Sequence, residues 1–208
     1  MKPRDRLYQV AYRQQGYFTA RQAALAGYAD SAPAYHIAAG NWIREDRGIY
    51  RLAHFPNHPD SDAMVCWLWT SNREGRPLGV LSHQSALDLH DLCDINPRKW
   101  HMTVPKGFRR AVIPGTLVLH KESLGDEDIT SYSGLPITTL FRTLYDLIWE
   151  QSVAPEQLVM AIDTALKRGL LDKKTLAKLR NALHPNSKFI DFLLESLEHG
   201  DQALQEAL

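Results

Sequence analysis

Residues 16–28 read GYFTARQAALAGY, a glycine at each end of a segment with room for two helical turns. The Thr19 hydroxyl is placed to accept a hydrogen bond from a free backbone N–H, so a helix is expected to begin at Ala20. Gly27, free to take a positive φ, ends it. Upstream, RDRLYQVAYRQQ (residues 4–15) sets Leu7, Val10 and Ala11 at helical spacing with arginines on the other face, and Gly16 closes that helix. Downstream, Asp30 or Ser31 caps a third helix in which Pro33 stands near the first position, where a missing N–H costs nothing. Ala34, Ile37 and Ala38 share one face of it, with Tyr35 and His36 off that face. After Gly40-Asn41, WIREDRGIYRL (residues 42–52) puts strand formers on both sides of a polar, glycine-bearing turn. Three short helices and a hairpin with an arginine-rich tip predict a winged helix-turn-helix. Helix 2 is small and alanine-rich because it must pack closely across helix 3, which enters the major groove.

The charge distribution agrees. The chain carries 24 Lys/Arg and 24 Asp/Glu over 208 residues, yet residues 1–56 hold eight bases against four acids. A head of net +4 therefore precedes a body of net −4, the pattern of a polyanion-binding domain joined to a part with another task. Cys66 and Cys93 stand in separate segments without metal-ligand spacing, and AMVCWLW (residues 63–69) is too short to cross a bilayer. A cytoplasmic protein with reduced thiols, no cofactor and no metal is expected.

Beyond residue 56 a linker and helix occupy residues 57–76, and residues 77–208 read as a second domain. Residues 78–82, 99–105 and 116–121 look extended, and DITSYSGLPITT (128–139) suggests a hairpin turning at Ser133-Gly134. Residues 83–92 look helical and helices dominate from Thr139 onward, including SKFIDFLLESLEHG (187–200). The expected fold class is α+β: the winged helix, then a mixed α/β domain with a small sheet and C-terminal helices.

GYFTARQAALAGY and WIREDRGIYRL together resemble the N-terminal winged-helix domain of AbiEi-family antitoxins, the DNA-binding members of type IV toxin–antitoxin pairs. LSHQSALDLHDL, HMTVPKGFRR and LVLHKESLGDEDITSYSGLPITTLFRTLYDL resemble the body of the same family, so that the likeness covers residues 5–180. It implies a repressor of its own operon, with double-stranded operator DNA as partner. It also implies an antitoxin that counters a nucleotidyltransferase-like toxin without needing a stable complex.

Chemistry singles out the DNA-facing candidates. The N-terminal end of helix 3 presents Ser31, Ala32, Tyr35 and His36 to base edges, while Thr19 and Arg21 start helix 2 near phosphate. Arg44, Arg47 and Arg51 belong to the wing. Helix 3 has no Arg, Lys, Asn or Gln before Asn41, so shape and wing contacts are expected to outweigh bidentate base readout. KGFRR (residues 106–110) is the one basic cluster of the acidic body, open to DNA alongside the wing, to RNA, to the toxin's substrate or to solvent.

Ser82, His83, His90, His101 and His120, with Asp88, Asp91 and Asp94, invite comparison with a nucleophile–base set or a metal cluster. No G-x-S-x-G elbow and no HExxH spacing supports either. No catalytic residue is assigned, and Ser82 reads as a helix cap. Trp67, Trp69, Trp100 and Trp149 read as packing residues, and Arg142 as the partner of Asp146 four residues on. A nuclease guided by the winged helix, or a protein-interaction module, remains the alternative class.

Overall fold

The computed structural model describes residues 1–56, 58–183 and 195; apart from residue 195, the helix expected over 187–200 lies outside the described residues. Residues 1–80, 102–123 and 131–136 make one compact unit, and residues 81–101, 124–130 and 137–208 the other. The winged-helix segment falls wholly within the first.

In that first unit, α1 (Pro3–Arg13) is followed by β1 (Tyr17–Thr19), α2 (Ala20–Ala26), α3 (Ala32–Ala38), β2 (Trp42–Asp46) and β3 (Ile49–Leu52). β1 was not expected. Tyr17 and Phe18 are good strand formers, and Gly16, at φ +90, supplies the turn into them. A side chain there would overlap the Phe55 ring. β1 pairs antiparallel with β3, which also pairs with β2, giving a three-stranded sheet in the order β1-β3-β2. Thr19 caps α2 in a full capping box: its hydroxyl accepts from Gln22 N–H, and Gln22 Oε1 accepts from Thr19 N–H at 2.8 Å. Gly27, at φ +104, ends that helix as expected. Leu7, Ala11, Phe18, Ala23, Ala26, Trp42 and Tyr50 form the core of the winged helix.

α3 packs opposite to expectation. None of its residues is buried, and Ala34, Ile37 and Ala38 are exposed. Ala32 and His36 face inward instead, His36 stacking on Trp42 and meeting Tyr28 edge-on in a cluster of three rings. α4 (Ser61–Trp69) completes this part of the chain, ending in Thr70, whose hydroxyl accepts from the Leu78 and Gly79 N–H groups.

The remaining strands, β4 (Val80–Leu81), β5 (Trp100–Val104), β6 (Leu117–Lys121), β7 (Ile129–Tyr132) and β8 (Leu135–Thr138), form a five-stranded sheet in the order β6-β5-β4-β8-β7. β4 runs parallel to β8, with Leu81 opposite Ile137. The β7–β8 turn is at Ser133-Gly134, as the sequence indicates, with both residues at positive φ. α5 (His83–Leu89), α6 (Leu140–Glu150), α7 (Pro155–Lys167) and α8 (Lys173–Ala182) supply the second unit's core, including Leu87, Leu144, Leu147, Leu158, Ile162 and Leu179. Arg142 Nε bonds Asp146 Oδ1 at 2.8 Å, the expected pair, and its Nη1 reaches Asp128 at 3.3 Å. Trp149 departs from the packing role: it is exposed and stacks on Tyr145 one helical turn earlier. No helix among the described residues is long and apolar enough to cross a membrane.

Candidate nucleic-acid interface

The wing is a two-residue turn, Arg47-Gly48, between β2 and β3, with Gly48 at φ +73. Its carbonyl accepts a 2.8 Å hydrogen bond from Ala20 N–H, so the turn is tied to the start of α2. Arg44 pairs opposite Tyr50 and Asp46 opposite Ile49, which leaves Glu45 as the extra residue of a bulge.

That bulge separates the three wing arginines. Arg51, with 11% of its side chain exposed, donates from Nε to Glu45 Oε1 at 2.7 Å and from Nη1 to Phe55 O at 3.0 Å. Its guanidinium also lies over the Tyr17 ring, 5.9 Å from the centroid. Arg44 and Arg47 are exposed, and neither has an acidic partner among the described residues. The backbone N–H of Arg47 donates to Asp46 Oδ1.

The remaining candidates divide in the same manner. Thr19 is buried in its capping box, Ala32 packs against the core, and His36 is stacked on Trp42. Arg21, Ser31 and Tyr35 face solvent, Tyr35 with 70% exposure. Ser31 occupies the N-cap position of α3 without a side-chain cap bond, which leaves its hydroxyl available to a ligand. Arg21, Ser31, Tyr35, Arg44 and Arg47 are thus the exposed candidates, cations and hydrogen-bonding tips of the kind that meet a phosphate backbone.

Residues 5–53, from α1 through β3, match the model of a family described as a transcriptional regulator, AbiEi antitoxin. Over these residues the chain is AbiEi-like. No curated protein matches it. Among solved structures it is similar to the RV2827C protein of Mycobacterium tuberculosis, with a TM-score of 0.57 and 14% identity over 93% of this chain and 76% of that one. At that identity the likeness is one of fold. The matched segment holds Thr19, Arg21, Ser31, Ala32, Tyr35, His36, Arg44, Arg47 and Arg51, while KGFRR lies outside it.

Two features lay beyond sequence reasoning. The first is the company kept by KGFRR. Residues 102–123 belong to the same compact unit as the winged helix, which raises that unit to fourteen bases against eight acids, net +6, and leaves the other at net −6. Arg110 fastens this loop by donating to the carbonyls of Ser71 and Trp69 and lying over the Trp69 and Phe108 rings at 5.4 and 5.9 Å. Lys106 and Arg109 stay exposed.

The second is a partner for the Ser82-His83 pair. Ser82 Oγ lies 2.9 Å from His83 Nδ1, and His83 Nε2 lies 3.3 Å from Glu150 Oε1. This is the order of an activated nucleophile, with Ser82 wholly buried and His83 2% exposed. At the N-cap of α5, Ser82 makes no side-chain cap bond, contrary to the expected cap. His90, also in this unit, bonds the Thr138 carbonyl at 2.9 Å. Burial lowers its pKa from the ordinary 6.5, opposed by that hydrogen bond.

Proposed function

We propose that this protein is a DNA-binding repressor of its own operon and the antitoxin of a type IV pair. Its counterpart is a nucleotidyltransferase-like toxin, and both act in the cytoplasm. Arg44 and Arg47 carry the reading: they stand exposed and unpaired on a wing anchored to α2, in a unit of net +6. The duplex meets the exposed side of α3 through Tyr35 and Ser31, and Arg21 and the wing arginines lie along phosphate. Lys106 and Arg109 extend the same positive field. A helix without bidentate base readers, beside a basic wing, favours recognition by groove shape over direct base hydrogen bonds.

Neutralisation is assigned to the acidic unit. We assign the protein no catalysis of its own: the hydroxyl of the Ser82–His83–Glu150 chain is buried. The test separates the two tasks. Arg44→Ala/Arg47→Ala is expected to lose retardation of the upstream DNA while cells co-expressing the toxin still grow. Loss of protection in step with loss of DNA binding contradicts the division of labour. Cleavage of labelled DNA or RNA by the purified protein with Mg²⁺ contradicts the non-catalytic assignment.

A further inference from the structure

The second unit has a cleft of about 440 Å³ between the loop before β5, the first turn of α5 and the connection from α6 to α7. That size suits a small ligand. Among its lining residues are Gln84, Pro97, Arg98, Lys99, His101 and Val153, and no carboxylate side chain lines it. In the same unit Arg142, Lys167 and Arg168 each face a carboxylate, whereas Lys173, Lys174 and Lys178 on α8 are exposed like the cleft's cations. Arg98 and Lys99 are adjacent, exposed and without an acidic partner among the described residues.

A second feature points to a ligand with more than charge. Gln84 is oriented by its own amide, whose Nε2 donates to Ser152 O at 3.0 Å. Its Oε1 is buried without a hydrogen-bond partner. An acceptor left so is costly unless a donor arrives. The cleft therefore offers two cations for an anion, one acceptor for a hydroxyl or amino group, and the apolar faces of Pro97 and Val153 for a ring.

We propose that this cleft binds a nucleoside monophosphate, with Arg98 and Lys99 on the phosphate and Gln84 Oε1 accepting from a sugar hydroxyl or base amine. The site lies outside the surface assigned to DNA and does not depend on it. The test is calorimetric titration of the full-length protein with AMP, inorganic phosphate and adenosine. AMP is expected to bind at one site, phosphate more weakly and competitively with it, and adenosine not measurably. Arg98→Ala/Lys99→Ala is expected to weaken AMP about tenfold or more, a charged hydrogen bond's worth, while retardation of upstream DNA by the same preparation is unchanged. Gln84→Met is expected to weaken AMP but leave phosphate as it was. Absence of saturable AMP binding, or equal AMP affinity in the Arg98/Lys99 double variant, overturns the proposal. Equal loss of AMP and phosphate in Gln84→Met overturns the role given to Gln84. Because DNA retardation is read alongside, failure here is distinct from failure of the repressor reading.

Discussion

The His36 imidazole lies stacked on the Trp42 indole, ring centroids 4.5 Å apart and planes within 18°. This contact joins α3 to the first strand of the wing, and Trp42 extends it inward to Phe18 at 4.8 Å and Tyr50 at 5.9 Å. α3, which buries no residue of its own completely, meets the hairpin through this aromatic stack. Trp42→Ala is expected to cost about 3–5 kcal/mol of folding stability, and His36→Ala about 1 kcal/mol. Chemical denaturation followed by circular dichroism gives both values. Equal, small losses for the two variants would contradict the stack's role.

The capping box at α2 gives a smaller and more local effect. Thr19→Ala removes the acceptor of the Gln22 N–H and should cost about 1 kcal/mol. Thr19→Ser retains the hydroxyl and should recover most of that loss. The readout is the denaturation midpoint of each variant.

Thiol chemistry tests the interior. Burial pushes the Cys66 thiol up to about 11, with a hydrogen bond from Thr116 opposing and Asp62 and Asp46 adding to the rise. Cys93 is also raised, by burial and then by Asp88 and Asp94. Iodoacetamide at pH 8 should leave Cys66 unmodified in the folded protein and alkylate it fully once the chain is denatured, because the thiolate is the nucleophile. Mass spectrometry of the native digest reads the result; rapid native alkylation of Cys66 would contradict its placement.

Acid should weaken the second unit through His90. Its folded pKa lies below its unfolded value, so folding favours the neutral ring. The stabilisation is complete above the unfolded pKa near 6.5 and is lost as pH falls from there through the folded pKa. His90→Gln keeps an N–H donor for Thr138 O without a titrating ring. Its unfolding free energy should fall less between pH 7 and pH 5 than that of the unaltered protein. An identical pH slope for both would show that His90 does not contribute.

Much of the winged helix was legible because its boundaries rest on local chemistry: Gly16 and Gly27 require positive φ, Thr19 has its capping partner three residues on, and Gly48 sits in the hairpin turn. What escaped depends on tertiary packing. A seven-residue α3 offers two short apolar edges, and the aromatic surface of Trp42 and Tyr28 selects the one bearing Ala32 and His36. β1 is three residues long, too short for an alternating pattern to stand out. Arg51 reads like Arg44 in the sequence until the bulge at Glu45 brings a carboxylate to it. Glu150 meets His83 across 67 residues of chain, and Arg98 and Lys99 join Gln84 and Val153 at one cleft only through the fold.

The most direct test of the DNA-binding reading is the salt dependence of affinity for the upstream DNA, measured for the unaltered protein and for Arg44→Ala/Arg47→Ala. If both arginines lie on phosphate, log K against log salt should flatten by about 2 units of slope in the double variant, with affinity falling on every sequence tried. An unchanged slope with unchanged affinity would remove the wing from the interface and the repressor reading with it.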